Sequence, residues 1–151
     1  MLNKKTKYGL HALVHLAREY PRRTVLISQL ARAERIPQKF LEAILLELKK
    51  SGILDSKKGK GGGYSLAHSP DKIFLGKIIR ILEGPLAPVS CVSQTAYRRC
   101  LECRDEKTCG IRLVMKDVRE AMANILDKTS LSNLLEQVKF AKYKSSFDFE
   151  I

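Results

Sequence analysis

Four glycines and three lysines crowd into seven residues, Lys57-Lys58-Gly59-Lys60-Gly61-Gly62-Gly63, between the short apolar runs Ile53-Leu54 and Tyr64-Ser65-Leu66. Glycine takes positive φ without steric cost and lets backbone approach another surface closely. A turn of this composition between two apolar runs reads as a tight β-hairpin. Lysines at its tip suit a phosphate backbone as that other surface. A phosphate-cradling loop of the Gly-Lys-Ser/Thr kind is excluded, because neither tripeptide occurs and the loop does not join a strand to a helix. The dinucleotide fingerprint fails too, since Tyr64 stands where its last glycine belongs.

The helix-forming pattern before this hairpin gives it a context. Residues 5–19 carry apolar side chains at helical spacing, including Tyr8, Leu10, Ala12, Leu13, Val14, Leu16 and Ala17, and Pro21 ends the run. His11 and His15 lie four apart in it, but Ala12 occupies the place of the glutamate that a zinc-protease helix needs, so packing or partner contact is the expected role. Thr24-Val25-Leu26-Ile27 reads as a short strand and Ser28 as the N-cap of a helix over Gln29–Glu34. After Arg35-Ile36-Pro37 a third helix opens, with Phe40, Leu41, Ile44, Leu45 and Leu48 facing a core. Two helices joined by a four-residue turn form a helix-turn-helix, whose second helix enters the major groove. With the basic hairpin directly after it, the outline is a winged-helix DNA reader.

Charge agrees with an anionic partner. The net charge is +12, and residues 1–65 hold 14 Lys+Arg against 5 Asp+Glu, while residues 66–151 hold 14 against 11. The basic residues are spread over several elements of one folded unit rather than along one face of a lone helix, which favours nucleic acid over a membrane surface. No apolar stretch approaches the roughly 18–20 residues that span a bilayer, and the N-terminus does not read as a secretory leader. The expected location is the cytoplasm, with no membrane partner.

Ile73 and Phe74 open a fourth helix, through Leu82, which Gly84-Pro85 stops. A long helix from Thr108 to about Asp127 carries the seam Ile111, Val114, Met115, Val118, Ala121, Met122 and Ile125, spaced as a dimer interface would be. Leu131–Val138 forms a short final helix, and no pattern is assigned to the remainder. The expected fold is mainly α with a small β-hairpin. It comprises a winged helix-turn-helix over residues 1–84, a cysteine-containing loop over 85–109, a dimerisation helix and short final helix over 110–137, and a tail over 138–151.

Cys91, Cys100, Cys103 and Cys109 are the only cysteines, all within 19 positions, spaced C-x8-C-x2-C-x5-C. A reducing compartment argues against a disulfide framework, and clustered thiols are ligands for soft metals. Zinc favours two short hooks, of which only Cys100-x2-Cys103 is present. Iron–sulfur clusters accept looser spacing, and a metal-free thiol switch is a further reading. A thiol oxidoreductase built on Cys100 and Cys103 lacks the βαβ context of such sites, so an enzyme is not expected.

Several segments together resemble the Rrf-two family of winged-helix regulators (the IscR, NsrR and CymR type). They are Lys7-Tyr8-Gly9-Leu10 with Leu16-Ala17, Ile36-Pro37-Gln38-Lys39-Phe40-Leu41-Glu42, Leu48-Lys49-Lys50-Ser51-Gly52-Ile53-Leu54 and Gly61-Gly62-Gly63-Tyr64-Ser65-Leu66. Ile79-Arg80-Ile81-Leu82-Glu83-Gly84-Pro85 and Leu126-Asp127-Lys128-Thr129-Ser130-Leu131 extend the match to nearly all of residues 1–137. The resemblance implies a homodimeric transcription factor, mostly of the repressor kind, on palindromic double-stranded operators. It implies base contacts from Gln38, Lys39, Phe40 and Glu42, and minor-groove and phosphate contacts from Lys57, Lys58, Lys60, Gly61, Gly62 and Tyr64 in the wing. Ser28 and Gln29, opening the second helix, complete the candidate DNA-contacting set. Cluster-binding members carry three cysteines in the region of Cys91, Cys103 and Cys109, with a fourth ligand from elsewhere; Cys100 is extra here. The resemblance thus favours an iron–sulfur cluster (2Fe–2S or 4Fe–4S) over zinc at the four cysteines.

Overall fold

In the computed structural model, which describes residues 1–148, the Asn3 side chain caps the first helix by accepting the Thr6 amide at 2.9 Å. Helix α1 (Lys4–Glu19) turns Ala12, Leu13, Leu16 and Ala17 inward, all of them buried. Burying a leucine of this kind contributes about 1.5–3 kcal/mol, so a helix with this seam holds only against a partner surface. That surface comes from α2 (Ile27–Glu34), α3 (Gln38–Lys50), α4 (Leu75–Leu82), α6 (Leu131–Phe147) and the strand Gly63–Leu66. His15 ties α1 to α2 through its Nδ1, 2.8 Å from Glu34 Oε1, while His11 is exposed, so the two histidines do not act as a pair.

The strand expected over residues 24–27 is reduced to a single bridge. Val25 and Tyr64 exchange backbone hydrogen bonds at 2.9 and 2.8 Å. With Val25 held extended, the Leu26 carbonyl is free to accept the Leu30 amide at 3.0 Å, and α2 begins at Ile27. Ser28 is therefore not the cap; it lies inside the first turn, exposed. Arg35 ends α2 in the left-handed region, φ 55°, and Pro37 leads directly into α3. Leu41, Ile44, Leu45 and Leu48 fill the core stripe of α3. Phe40 does not join them: it lies at the stripe's edge, 43% exposed, edge-on to Tyr8 at a centroid distance of 5.7 Å.

Strands β1 (Leu54–Lys57) and β2 (Gly63–Leu66) form the antiparallel hairpin, with Leu54 opposite Leu66 and Lys57 opposite Gly63. Gly63 has φ 142°, and a Cβ there would stand 2.3 Å from the Val25 carbonyl oxygen. Only glycine permits the bridge and the wing together. Beyond the wing, Ile73 and Phe74 stay extended, because Leu75 N–H donates to Thr129 O and Leu131 N–H to Ile73 O, each at 2.9 Å. Helix α4 accordingly starts at Leu75, with Phe74 as its cap rather than its first residue.

Residues 85–109 are irregular apart from single helical turns, including a 3₁₀ turn at Ser90–Val92. Helix α5 (Gly110–Leu126) follows, with Cys109 as its N-cap residue. A reciprocal cap between Ser130 and Asn133 opens α6, which runs to Phe147 rather than stopping near Val138. Its first half packs on α1, while Phe140, Tyr143 and Phe147 are exposed, so the later turns lack the one-sided apolar pattern that announces a helix.

Candidate nucleic-acid interface and cysteine site

Helix α3 is held at its back by the core stripe, which leaves its N-terminal turns facing solvent. Gln38, Lys39, Phe40 and Glu42 are all exposed there, and Gln38 Nε2 donates to Glu42 Oε1 at 3.4 Å, placing both on one face. Gln and Glu at such a position can present hydrogen-bonding groups to base edges. Ser28 and Gln29 are exposed at the start of α2. The wing lies beside α3, fastened by Ile53 N–H to Leu48 O at 3.0 Å and by Lys49 Nζ donating to Ser56 Oγ at 2.5 Å. Lys57, Lys58, Lys60 and Gly61 are exposed on the wing. Gly62 and Tyr64 are not free for a partner to the same degree. Gly62 is buried in the turn with its amide on Gly59 O at 2.9 Å, and the half-buried Tyr64 packs against the core.

The four cysteines, all free thiols, line one cavity of about 490 Å³ at the foot of α5. Cys91 is buried, and the other three are partly exposed. Cys109 is held below the usual thiol range, mainly because the Arg112 backbone amide points at its sulfur; a helix N-terminus favours a thiolate in the same way. Cys103 is raised by loss of water and by its hydrogen bond to Cys109, and Cys100 is raised by its hydrogen bond to the Glu102 carboxylate, 3.0 Å away. Among the described residues, no group of three or more His, Cys, Asp or Glu side chains is gathered tightly enough to hold a metal ion as it stands. The donor set itself, four thiols sharing one largely apolar cavity, suits a soft metal or an iron–sulfur centre.

The sequence model of the family described as Rrf2, iron-dependent transcriptional regulator, matches residues 2–137. The chain belongs to the Rrf2 family. An rrf2-like HTH-type transcriptional regulator of Rhodobacter capsulatus is 38% identical over 138 residues, spanning 89% of this chain and 92% of its own. The solved structure of CymR, the global cysteine regulator of B. subtilis, superposes with a TM-score of 0.76 at 29% identity, covering 91% of this chain and 97% of that one. IscR of T. potens gives 0.74 at 26% identity, covering 93% and 90%. As an Rrf2 regulator the protein acts on transcription by binding DNA, and it is not an enzyme. No helix among the described residues is long and apolar enough to cross a membrane.

The Rrf2 fold also brings three arginines to the cysteine cavity that the sequence reading passed over: Arg98, Arg99 and Arg112. Arg112 is the most tightly placed, its Nε donating to the Cys91 carbonyl at 3.3 Å across 21 residues of sequence. Its position one turn after Cys109 was the only clue. Nothing in the spacing could say that the same turn meets Cys91.

Proposed function

We propose that this Rrf2 protein is a homodimeric repressor on palindromic operators, with an affinity for DNA set by an iron–sulfur cluster held by Cys91, Cys100, Cys103 and Cys109. The supporting observation is the convergence of all four thiols on one cavity at the start of α5. When bound, such a cluster supplies redox and small-molecule reactivity at that spot. The residues around it connect the site to the DNA-reading face. Cys109 caps α5, Arg112 straps its first turn to Cys91, and Arg80 of α4 grips Asp127 just past the other end of α5. Helix α4 in turn packs on α3. A change in residues 91–109 therefore acts on a helix joined at both ends to other elements.

Support for the dimer lies in α5 itself. Ile111, Val114, Val118 and Ile125 are exposed on it, an apolar seam that a single chain leaves in water. A symmetric pair would set two α3 helices about one helical turn of DNA apart. For the cysteine loop to regulate, the two cluster states must differ in DNA affinity, typically by about 1–3 kcal/mol.

Anaerobic purification followed by an absorption spectrum and iron and sulfide analysis tests the sensor reading. A brown protein containing iron and sulfide is expected, and loss of the cluster should change operator affinity. A colourless protein with one zinc per chain would replace the sensor with a structural metal. Replacing all four cysteines separates these cases further: a sensor stays folded and loses its response, whereas a metal-stapled loop unfolds.

A further inference from the structure

A second basic feature lies at the root of the wing. The turn after α1 and the end of β1 enclose a cleft of about 410 Å³ lined by Arg22, Arg23, Thr24, Lys57, Gly61 and Ser65. Three cations from two separate elements meet there. Arg23 donates to Glu19 at 2.7 Å, but among the described residues Arg22 and Lys57 have no ion-pair partner. Like charges gathered in a concavity whose lining includes no acid favour an anion.

The hairpin's register says which side of the wing this cleft occupies. Side chains alternate across a strand, and Ser56, bonded to Lys49, faces α3. Its neighbours Asp55 and Lys57, with the cross-strand partners Ser65 and Gly63, face the other way. The cleft thus lies on the outer side of the wing, away from α3. A duplex read by α3 and met by the wing tip would have to extend past that outer side for the cleft to reach its backbone. Thr24 Oγ1 also donates to Gly61 O at 2.7 Å, so the segment carrying Arg22 and Arg23 is clasped to the wing turn.

We propose that this cleft is a second phosphate-binding site, with Arg22 as its principal ligand, which grips the DNA backbone flanking each half-site. The inference rests on the DNA-binding reading and is independent of the cysteines. It gives the protein a footprint longer than the bases that α3 and the wing tip can reach.

The test uses the full chain and a palindrome selected from random-sequence DNA, with flanks of about one helical turn of ten base pairs or with none. The wild type should bind the long duplex more tightly, with a salt dependence steeper by about one unit per cleft. Arg22→Gln should bind both duplexes alike, at the short-duplex affinity of the wild type, and Arg22→Lys should recover most of the difference. A wild type indifferent to flank length, or an Arg22→Gln variant weakened equally on both duplexes, overturns the clamp. A wild type that binds no duplex at all overturns the DNA reading together with it.

Discussion

Arg80 of α4 and Asp127, just past the end of α5, are joined through two parallel hydrogen bonds, Nη1 to Oδ1 at 2.5 Å and Nη2 to Oδ2 at 3.0 Å. The hydrogen bonds and the opposite charge hold Asp127 below the usual carboxylate range and raise Arg80. Both side chains are more than a third exposed, so water screens the pair and limits its contribution to about 1 kcal/mol or less.

The sign of its pH dependence follows. A carboxylate whose pKa is depressed on folding stabilises fully above its unfolded value, near 3.9, and loses that contribution as pH falls through the folded value. Urea denaturation of the wild type and Asp127→Asn should therefore differ at pH 7 and converge as the pH drops below about 4. A difference unchanged at acid pH would show that the pair's charge plays no part.

Gly63→Ala should disable the wing while sparing the helices. The added methyl meets the Val25 backbone at 2.3 Å and cannot be relieved by a side-chain rotation. The strained φ and the lost bridge should cost about 1–3 kcal/mol. Operator binding should fall sharply with little change in helical circular dichroism. Undiminished binding would mean that the wing's backbone path is dispensable.

The exposed wing lysines and the α3 residues should separate by the kind of DNA contact. Lys58→Ala with Lys60→Ala should weaken all duplexes alike and reduce the salt slope by about one unit for each phosphate contact removed. Gln38→Ala should instead relax preference at particular base pairs, each worth about 1–3 kcal/mol. Titrations over a panel of singly substituted operators at two salt concentrations distinguish the patterns.

On α5, Val114→Glu with Val118→Glu places carboxylates in the exposed apolar seam. Burying unpaired charge is strongly unfavourable, so sedimentation velocity should report a folded monomer and palindrome binding should collapse. A variant that sediments as the wild type does would move the proposed interface elsewhere.

The helix-turn-helix and wing were legible because they depend on local rules: a 3.6-residue apolar period, glycines at a tight turn, and prolines at helix boundaries. Errors arose where a distant residue intervened. Val25 fixes the start of α2 through Tyr64, which displaced the expected cap at Ser28; Ser130 holds Phe74 extended and delays α4. The far half of α6 went unread because among the described residues it packs on nothing that would impose an apolar stripe.

The order of residues alone determined the sequence of elements, the basic wing, the polar positions at the start of α3 and the four-cysteine composition of the loop. Each follows from backbone preferences and side-chain chemistry over a few neighbouring positions. Tertiary structure decided that Arg112 meets Cys91, that Arg80 meets Asp127, and that Arg22 shares a cleft with Lys57. Those meetings depend on how helices and strands settle against a common core, and side chains far apart in the chain carry no mark of the neighbours that packing will give them.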